Sequence, residues 1–577
     1  FDALHLLGLI SHQLGENEEA LRYFRKAISV KADFAPLYTN YGLALIALNR
    51  FDEAFAVYDK GVSLDPRNAD LFNNYGNALR ALNRRDEALA RYDKAVSLRP
   101  DFPDALNNRG VVLQELGRID DALASFDLAI SARPDFGGAY FNRGNVLQDF
   151  GRFDEALESY DKAIALIPQF ADAFNNRGNT LKQLKRHQEA LESFDRAIAL
   201  NPRSADAYSN RGIALYELNR LDDALESYAK ATALAPDFAD AFSNLGNALR
   251  ESKRFDEALA SYDRAVAINP QLAQAHGDRG LLLLLMGRFA EGWRSYEWRK
   301  KKKERLGARS FDRPLWLGEE DISGKTILVH WEQGLGDTLQ FCRYVPILSQ
   351  MGAKVLFAPH KPLRRLISTL SGAFQMADVD DGALAFDFHC PLLSLPLALR
   401  TQLETIPHHV PYLQAEPDLV SAWKARIGGR GFKIGICWQG STGKVDAGRS
   451  FALKQFEALS QMPDVRLISL HKGEGEAQLQ GLPEGMSVET LGSEFDAGGD
   501  AFVDTAAAMA CCDLIISSDT AVAHLAGALG HKVWVALKCV PDWRWMMDRD
   551  DSPWYPTMRL FRQQSHGDWD GVFAQMK

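Results

Sequence analysis

A repeat of 34 residues is the feature of this sequence that most constrains its fold. Glycine recurs with that period at Gly8, Gly42, Gly76, Gly110, Gly144, Gly178, Gly212, Gly246 and Gly280. Sixteen residues after each glycine stands an aromatic residue, and nine repeats fill residues 1–306 without an insertion. A period of this length predicts a helical solenoid, because each helix pair can bury its apolar face only against its neighbours.

The residue types within each repeat explain the helix pairs. The second helix has a small residue at its centre, which lets the two helices approach closely. These residues are Ala54, Ala88, Ala122, Ala156, Ala190, Ala224 and Ala258. Proline then ends the second helix because it lacks an amide proton, at Pro66, Pro100, Pro134, Pro168, Pro202, Pro236 and Pro270. The pattern resembles the tetratricopeptide repeat. The first repeat lacks the proline, and we expect it to lie inside a longer array. The ninth has Gly292 in place of alanine and also lacks the proline, as expected where a solenoid meets another domain.

Asparagine occupies the sixth position of seven repeats, although it is a mediocre helix former. An amide offers a donor and an acceptor, which suits the backbone of an extended peptide. The alternative is that these side chains hydrogen-bond between repeats. The ladder resembles the concave asparagine ladder of O-linked N-acetylglucosamine transferases, which holds substrate polypeptide. That resemblance implies a peptide-binding role for Asn74, Asn108, Asn142, Asn176, Asn210 and Asn244.

Composition excludes several classes of function. The 66 Lys and Arg against 76 Asp and Glu give a formal net charge of −10, which argues against nucleic acid as a partner. No segment approaches the roughly 20 apolar residues of a membrane-spanning helix. The six cysteines show neither paired spacing nor a zinc motif, which is typical of a reducing compartment, and we expect a cytoplasmic protein.

The second half of the chain alternates short β-branched segments with helical ones, which predicts parallel sheets with crossover helices. The predicted strands are 325–330, 354–358, 386–389, 433–438, 465–470, 513–517 and 533–537. A glycine-rich break at 428–431 divides this region. The predicted fold is therefore an α-solenoid (1–306) followed by a linker (307–324) and two Rossmann-like α/β lobes. The lobes are predicted at 325–427 and 430–565, with a C-terminal helix at 566–577. Two such lobes bind ligands in a cleft at the carboxyl ends of their strands.

The first motif expected in that cleft, residues 332–338, follows the first strand and opens a helix. Gly334 and Gly336 allow a tight turn beside Gln333, and Asp337 lies at the helix start. Asp337 is a candidate site residue; the alternative is a helix N-cap, for which aspartate is well suited.

The second motif, at 518–526, again joins a strand to a helix. Free amides and the positive end of the helix suit a diphosphate near Asp519 and Thr520. The alternative is that Ser518 and Asp519 only cap the helix, with His524 packed against its own helix.

A third motif is the polar loop at 438–451, which contains Gln439, Ser441 and Arg449. Arginine binds phosphate through two parallel hydrogen bonds. The alternative for Arg449 is a solvated loop residue.

Together these motifs resemble glycosyltransferase family 9, the heptosyltransferases of the two-lobed GT-B type, over residues 325–540. The resemblance implies that Asp337 is the catalytic base and that Asp519, Thr520 and His524 form the donor motif, with Ala521 where the family usually has glycine. It also implies that Arg449 and Glu476 contact the donor. The GT-B fold works without metal, so we expect no metal or other cofactor and interpret Asp378 and Asp380 as a chance Asp-x-Asp match. The plan of repeats followed by GT-B also resembles bacterial flagellin-modifying enzymes.

The sequence thus predicts an inverting glycosyltransferase that moves a sugar from a nucleotide-sugar donor to a protein hydroxyl, with the repeats recruiting the protein. Two alternatives stay open. One is a non-catalytic scaffold with a degenerate transferase fold, and the other is a transferase that acts on a lipid-linked glycan.

Overall fold

The structure, a computed structural model, describes residues 1–301, 309, 311–380, 384–440 and 448–577. The chain forms two compact units, Phe1–Pro236 and Asp237–Lys577. The second unit therefore contains the eighth and ninth repeats together with the α/β region, whereas the sequence predicts a boundary at residue 306.

The first unit consists of seven helix pairs, as the repeat predicts. The helices are α1 (Asp2–Gln13), α2 (Asn17–Val30), α3 (Ala35–Ala47), α4 (Phe51–Leu64), α5 (Ala69–Ala81), α6 (Arg85–Leu98), α7 (Pro103–Glu115), α8 (Ile119–Ala132), α9 (Gly137–Asp149), α10 (Phe153–Leu166), α11 (Ala171–Gln183), α12 (His187–Leu200), α13 (Ala205–Glu217) and α14 (Leu221–Leu234).

The repeat glycine is required by the close approach of the two helices in each pair. A Cβ added at Gly76 would lie 2.6 Å from Cε1 of Tyr92, the aromatic residue of the same repeat. Because no real Cβ tolerates such a contact, the glycine and the aromatic ring form one packing element.

An arginine that follows the ladder asparagine ties neighbouring repeats together. Arg109 donates from Nε to Asp93 in the preceding repeat (2.6 Å) and from Nη1 to Ser125 in its own (2.5 Å). The same pair of bonds recurs at Arg143, Arg177 and Arg211. These arginines therefore serve the solenoid's internal packing.

The second unit begins with the helices of the last two repeats, α15 (Ala239–Glu251), α16 (Phe255–Ile268), α17 (Ala273–Leu285) and α18 (Phe289–Tyr296). A 3-10 helix, Glu297–Lys301, continues from α18.

The first sheet of the α/β region has four parallel strands in the order β3-β2-β1-β4. They are β1 (Thr326–His330), β2 (Lys354–Ala358), β3 (Phe374–Met376) and β4 (Phe388–Pro391). The helices that follow in this part are α19 (Leu335–Phe341), α20 (Val345–Gln350), α21 (Arg364–Ile367), α22 (Leu395–Ala398) and α23 (Pro417–Ile427).

The second sheet has five parallel strands in the order β6-β5-β7-β8-β9. They are β5 (Phe432–Cys437), β6 (Val465–Ser469), β7 (Leu514–Ser518), β8 (Val533–Leu537) and β9 (Met558–Arg562). Its helices are α24 (Glu457–Ser460), α25 (Val503–Met509), α26 (Ala521–Ala528) and α27 (Trp569–Met576).

Two parallel sheets with intervening helices confirm the predicted α/β class of this region. The C-terminal helix α27 buries Val572 and Phe573 in the core of the second sheet, beside Phe451 and Phe456. No helix among the described residues is long and apolar enough to cross a membrane.

Candidate active site at the ends of two parallel sheets

The carboxyl ends of β1 and β7 lead into two helices, α19 and α26, that pack against each other where the sequence predicts a cleft. Gly336 lies at the point of contact. A Cβ added there would lie 3.3 Å from Cα of Ala521 and 3.2 Å from Cδ2 of His524. The second glycine of the predicted turn is therefore explained by the close approach of α26, as well as by the turn itself.

Asp337 lies in the first turn of α19 and both of its carboxylate oxygens have partners. Oδ2 accepts a hydrogen bond from the amide of Gly334 (2.8 Å), and Oδ1 accepts one from Nη2 of Arg544. Burial raises the pKa of Asp337 above its usual value, while Arg544 and the Gly334 amide act in the opposite direction. Asp337 thus has the contact expected of a capping residue together with an ion pair across the cleft.

Arg544, which lies between Trp543 and Trp545, pairs with Asp337 and has further contacts of its own. Its side chain donates from Nε to Gln340 (2.5 Å) and from Nη1 to Asp542 (2.8 Å), and it lies 4.6 Å over the ring of Trp543. Arg544 is only 8 % exposed. One buried cation is therefore shared by two carboxylates, Asp337 and Asp542.

The start of α26 has no side-chain cap. Thr520 occupies the N-cap position, but its hydroxyl lies 3.1 Å from that of Ser517 and does not bond to the helix amides. Ser518 Oγ is buried without a hydrogen-bond partner among the described residues. The alternative in which Ser518 or Asp519 caps this helix is therefore not what the structure contains, and the first amides of α26 are available to an anion.

Asp519 directly follows β7 and is buried, 5 % exposed. Its Oδ2 has no hydrogen-bond partner in the described part of the chain. Burial raises the pKa of Asp519 to about 6, with a further contribution from Asp542, while Arg449 opposes the shift. An acid that is buried and incompletely bonded in a cleft is characteristic of functional sites.

His524 lies on the buried side of α26. Its Nδ1 is 3.1 Å from the hydroxyl of Tyr555, and its ring stacks on Trp545 with centroids 5.3 Å apart. Burial holds the pKa of His524 well below its ordinary value, with Arg544 adding to the effect. His524 therefore packs against Tyr555 and Trp545, which lie outside its own helix.

The loop after β5 is described only in part. Gln439 and Arg449 are half-buried, and Ser441 lies outside the described residues. The amide of Gly440 donates to Ser450 (3.2 Å), which closes the base of the loop. Nε of Arg449 is buried and lacks a hydrogen-bond partner among the described residues. Arg449 lies close enough to Asp519 for its charge to act on the pKa of that carboxyl.

Glu476 is exposed at the start of a 3-10 helix after β6, where it accepts a hydrogen bond from the amide of Gly473 (2.5 Å). The same loop reaches the β5 loop, because Gln478 donates to Gln439 (3.3 Å). Glu476 thus stabilises its own turn at the edge of the cleft.

Gln333 has a left-handed backbone, with φ of 64°. Its side-chain amide donates to the hydroxyl of Tyr296 in the ninth repeat (3.1 Å). Its carbonyl lies 3.1 Å from Nε2 of His360.

The ladder asparagines of the first unit form hydrogen bonds between repeats. In four of them Nδ2 donates to an asparagine Oδ1 of the preceding repeat at 2.9–3.1 Å: Asn108 to Asn73, Asn142 to Asn107, Asn176 to Asn145 and Asn210 to Asn175. Asn74 in the same unit and Asn244 in the second unit are half-buried like the others. The alternative role of the ladder, bonding between repeats, is therefore present in the structure.

A lysine lies beside both carboxylates of the Asp-x-Asp segment. Nζ of Lys361 lies 3.6 Å from Asp378 and 3.2 Å from Asp380. Among the described residues no group of three or more His, Cys, Asp or Glu is arranged to hold a metal ion.

Comparison with known proteins found one similar curated protein and many similar solved structures. Protein FlbA of Caulobacter vibrioides is 26 % identical over 287 residues, which is 45 % of this chain and 47 % of that protein. The chain thus spans about half the length of this relative. YrrB, a TPR protein with an unusual peptide-binding site, is 30 % identical over 32 % of this chain and 95 % of its own, with a TM-score of 0.28. PilF of Pseudomonas aeruginosa is 23 % identical over 36 % of this chain and 94 % of its own, with a TM-score of 0.33.

Sequence profiles of the repeat match along the first half. Those described as TPR repeat match residues 42–82, 76–117 and 149–185. Those described as tetratricopeptide repeat match 1–34, 103–136, 171–204, 209–273 and 243–292. The helix pairs of residues 1–292 are therefore tetratricopeptide repeats.

Proposed function

We propose that this chain is a glycosyltransferase that moves a sugar from a nucleotide-sugar donor to a protein hydroxyl. The observation that supports it best is the meeting of α19 and α26 at the carboxyl ends of two parallel sheets. An acid, Asp337, lies on one side of this cleft, and an uncapped helix start with Arg449 near it lies on the other. A base facing an anion site is what glycosyl transfer from a nucleotide requires.

The proposed reaction is a single displacement. Asp337 accepts the proton of the acceptor hydroxyl while the oxygen of that hydroxyl attacks the anomeric carbon of the donor sugar. The bond from that carbon to the diphosphate oxygen breaks, and the nucleoside diphosphate leaves with the electron pair. The amides at the start of α26 and the guanidinium of Arg449 stabilise the charge that grows on the leaving group. Attack opposite the leaving group inverts the anomeric centre.

The ion pair between Asp337 and Arg544 adds a requirement to this mechanism. Because both oxygens of Asp337 are occupied, one of them must lose its partner before the carboxylate accepts a proton. A donor diphosphate is a strong competing acceptor for a guanidinium. Donor binding would therefore draw Arg544 from Asp337 and free the base.

The half-buried amide ladder of the first unit is the proposed site for the protein substrate. Solenoids of this kind present extended concave surfaces. The bonds between neighbouring asparagines fix the orientation of the amides, and a pre-oriented amide loses less entropy on binding a peptide backbone.

A second function has its own support. The occupied oxygens of Asp337 and the alanine at position 521 both favour a repeat scaffold whose α/β region binds a nucleotide without turnover. In that case the cleft would sense nucleotide and the repeats would hold the partner.

A thermal-shift panel of nucleoside diphosphates and nucleotide sugars tests both functions. A ligand at 100 times its dissociation constant adds about 2.7 kcal/mol to the free energy of unfolding. A nucleotide sugar that stabilises the protein is then assayed for release of the diphosphate. A shift with turnover supports the transferase, a shift without turnover supports the nucleotide-binding scaffold, and no shift with any compound contradicts both.

A further inference from the structure

The ninth repeat uses its aromatic residue differently from the repeats before it. In the eighth repeat a Cβ added at Gly246 would lie 2.6 Å from Cε1 of Tyr262, so the ring covers the glycine. In the ninth repeat the atom 2.6 Å from a Cβ added at Gly280 is the main-chain nitrogen of Tyr296. The backbone of α18 has taken the place of the ring, and the side chain of Tyr296 is released for another contact.

That contact is with the turn that carries Asp337. The hydroxyl of Tyr296 accepts from Nε2 of Gln333 (3.1 Å) and lies 3.4 Å from its Oε1. The ring lies 6.2 Å from that of Trp543, next to Arg544. Tyr296 is 5 % exposed, and burial raises its pKa to about 12, so it holds its proton at neutral pH.

Gln333 has a conformation that needs such support. A left-handed backbone at a residue other than glycine stores strain and persists only where surrounding contacts hold it. The preceding residue, Glu332, is also anchored on the ninth repeat, because Arg299 donates to both of its oxygens (3.1 and 2.9 Å) in a buried ion pair. Two successive residues of the 332–337 turn are therefore held by the end of the solenoid.

We propose that Tyr296 is a positioning residue for Asp337: it holds Gln333, and through it the 332–337 turn, in the conformation that aims the carboxylate into the cleft. Its effect on turnover rests on the proposed transferase function, whereas its effect on the turn does not. The ninth repeat would then complete the site in addition to recruiting substrate.

The test compares Tyr296→Phe with Tyr262→Phe in the full chain by hydrogen exchange and mass spectrometry. Both variants lose one buried hydroxyl at the same repeat position, since Tyr262 donates to Asn247 (2.7 Å). We expect amides of a peptide covering 331–341 to exchange about 2- to 10-fold faster in Tyr296→Phe only, the range set by one lost hydrogen bond. A peptide covering β8 should exchange as in wild type in both variants.

A kinetic measurement separates positioning from general stability. With a nucleotide sugar that wild type hydrolyses, Tyr296→Phe should lower kcat and leave KM for that donor unchanged. The proposal is overturned if Tyr296→Phe leaves the exchange of residues 331–341 unchanged, or if Tyr262→Phe accelerates that exchange equally. An unchanged kcat of Tyr296→Phe also overturns it. If wild type neither hydrolyses a nucleotide sugar nor transfers its sugar to a protein, the transferase function fails, while the exchange experiment still decides the role of Tyr296 in the turn.

Discussion

The carboxylate of Asp337 is half-buried beside Arg544, and the partial burial and the cation shift its pKa in opposite directions. Burial favours the protonated acid, whereas Arg544 favours the anion. A base of this kind is ionised when its cation is near and gains proton affinity when that cation is drawn away. The residue therefore has the properties that donor-triggered proton transfer needs.

Asp337→Asn tests the base directly. The amide keeps the shape of the side chain and an oxygen that can accept from Gly334, and Arg544 retains Asp542 as an anionic partner. Because an amide cannot accept the proton, turnover should fall at least about a hundredfold, with nucleoside diphosphate affinity retained. Stopped assays of turnover and calorimetry of diphosphate binding measure the two quantities. Turnover near wild type would remove Asp337 from the base role.

Asp519 gives a prediction about pH. Its pKa is about 6 in the folded protein and about 3.9 in an unfolded chain. The folded protein therefore holds this proton more tightly, and the free energy of unfolding falls as pH rises from about 4 to about 6. Asp519→Asn removes that titration. The variant should exceed wild type in stability at pH 7.5 by up to about 3 kcal/mol and lose most of this advantage at pH 4.5.

Thermal melts of both proteins at the two pH values measure the effect of Asp519. A stability difference that is equal at pH 4.5 and pH 7.5 would show that the substitution acts by some route other than protonation. A larger gain at pH 7.5 than at pH 4.5 would show that the ionised carboxylate of Asp519 destabilises the fold.

The elements of the α/β region were predictable from the sequence where they are long and apolar. All seven predicted strands are present, and 354–358 and 533–537 have the bounds of β2 and β8. The structure adds β3 and β9. β3 is only three residues long, too short for a period to be recognised. β9 lies at the edge of its sheet and carries Arg559 and Arg562 among its apolar residues.

The contacts that build the cleft were less predictable. Asp337 and Arg544 are 207 residues apart, and sequence spacing carries no signal for a pair brought together by two different sheets. Tyr296 is aromatic, as its repeat position predicts. The sequence pattern therefore gives no sign that its side chain contacts Gln333 and not the repeat glycine. The glycine at 292 and the missing proline were the visible signals that the ninth repeat differs.

The uncapped start of α26 leads to a prediction about the contribution of Arg449 to diphosphate binding. If this uncapped helix end binds a diphosphate, Arg449→Ala should weaken nucleoside diphosphate binding by about 1.5–3 kcal/mol, and the loss should shrink as salt is raised. Calorimetry at two salt concentrations measures it. Arg559→Ala, an exposed arginine of β9, is the matched control and should bind as wild type. Equal affinity of all three proteins would place the diphosphate elsewhere.

At the scale of the molecule, the last two repeats belong with the α/β region. Trp293 donates from Nε1 to the carbonyl of Thr401 (3.0 Å), and Nε2 of His566 lies 3.1 Å from the carbonyl of Glu251. Contacts of this kind, together with the Arg299–Glu332 ion pair, join the last two repeats to the α/β region within the second unit. The first unit carries the remaining ladder, so the proposed substrate recruitment and the proposed chemistry can be altered by separate mutations.

That separation yields a test of the ladder in the first unit. Replacing Asn108, Asn142, Asn176 and Asn210 together by Ala removes six hydrogen bonds between repeats among the described residues. Each lost bond costs about 0.5–1.5 kcal/mol, and alanine returns about 0.5 kcal/mol per site as the better helix former. We expect a folded protein with a moderately lower melting temperature. Its transfer to a protein acceptor should drop steeply, while donor hydrolysis stays at the wild-type rate.

The matched control for the ladder variant replaces Ser63, Ser97 and Ser131 together by Ala. These serines are exposed and donate to backbone carbonyls of their own helices. This variant should modify protein acceptors as wild type does. Protein modification and donor hydrolysis are measured for both variants beside their melting curves. A ladder variant with a lower melting temperature but normal protein modification would show that the asparagines only tie the repeats together. In that case the acceptor protein binds the chain outside this ladder, because hydrogen bonds from these amides would contribute nothing to its recruitment.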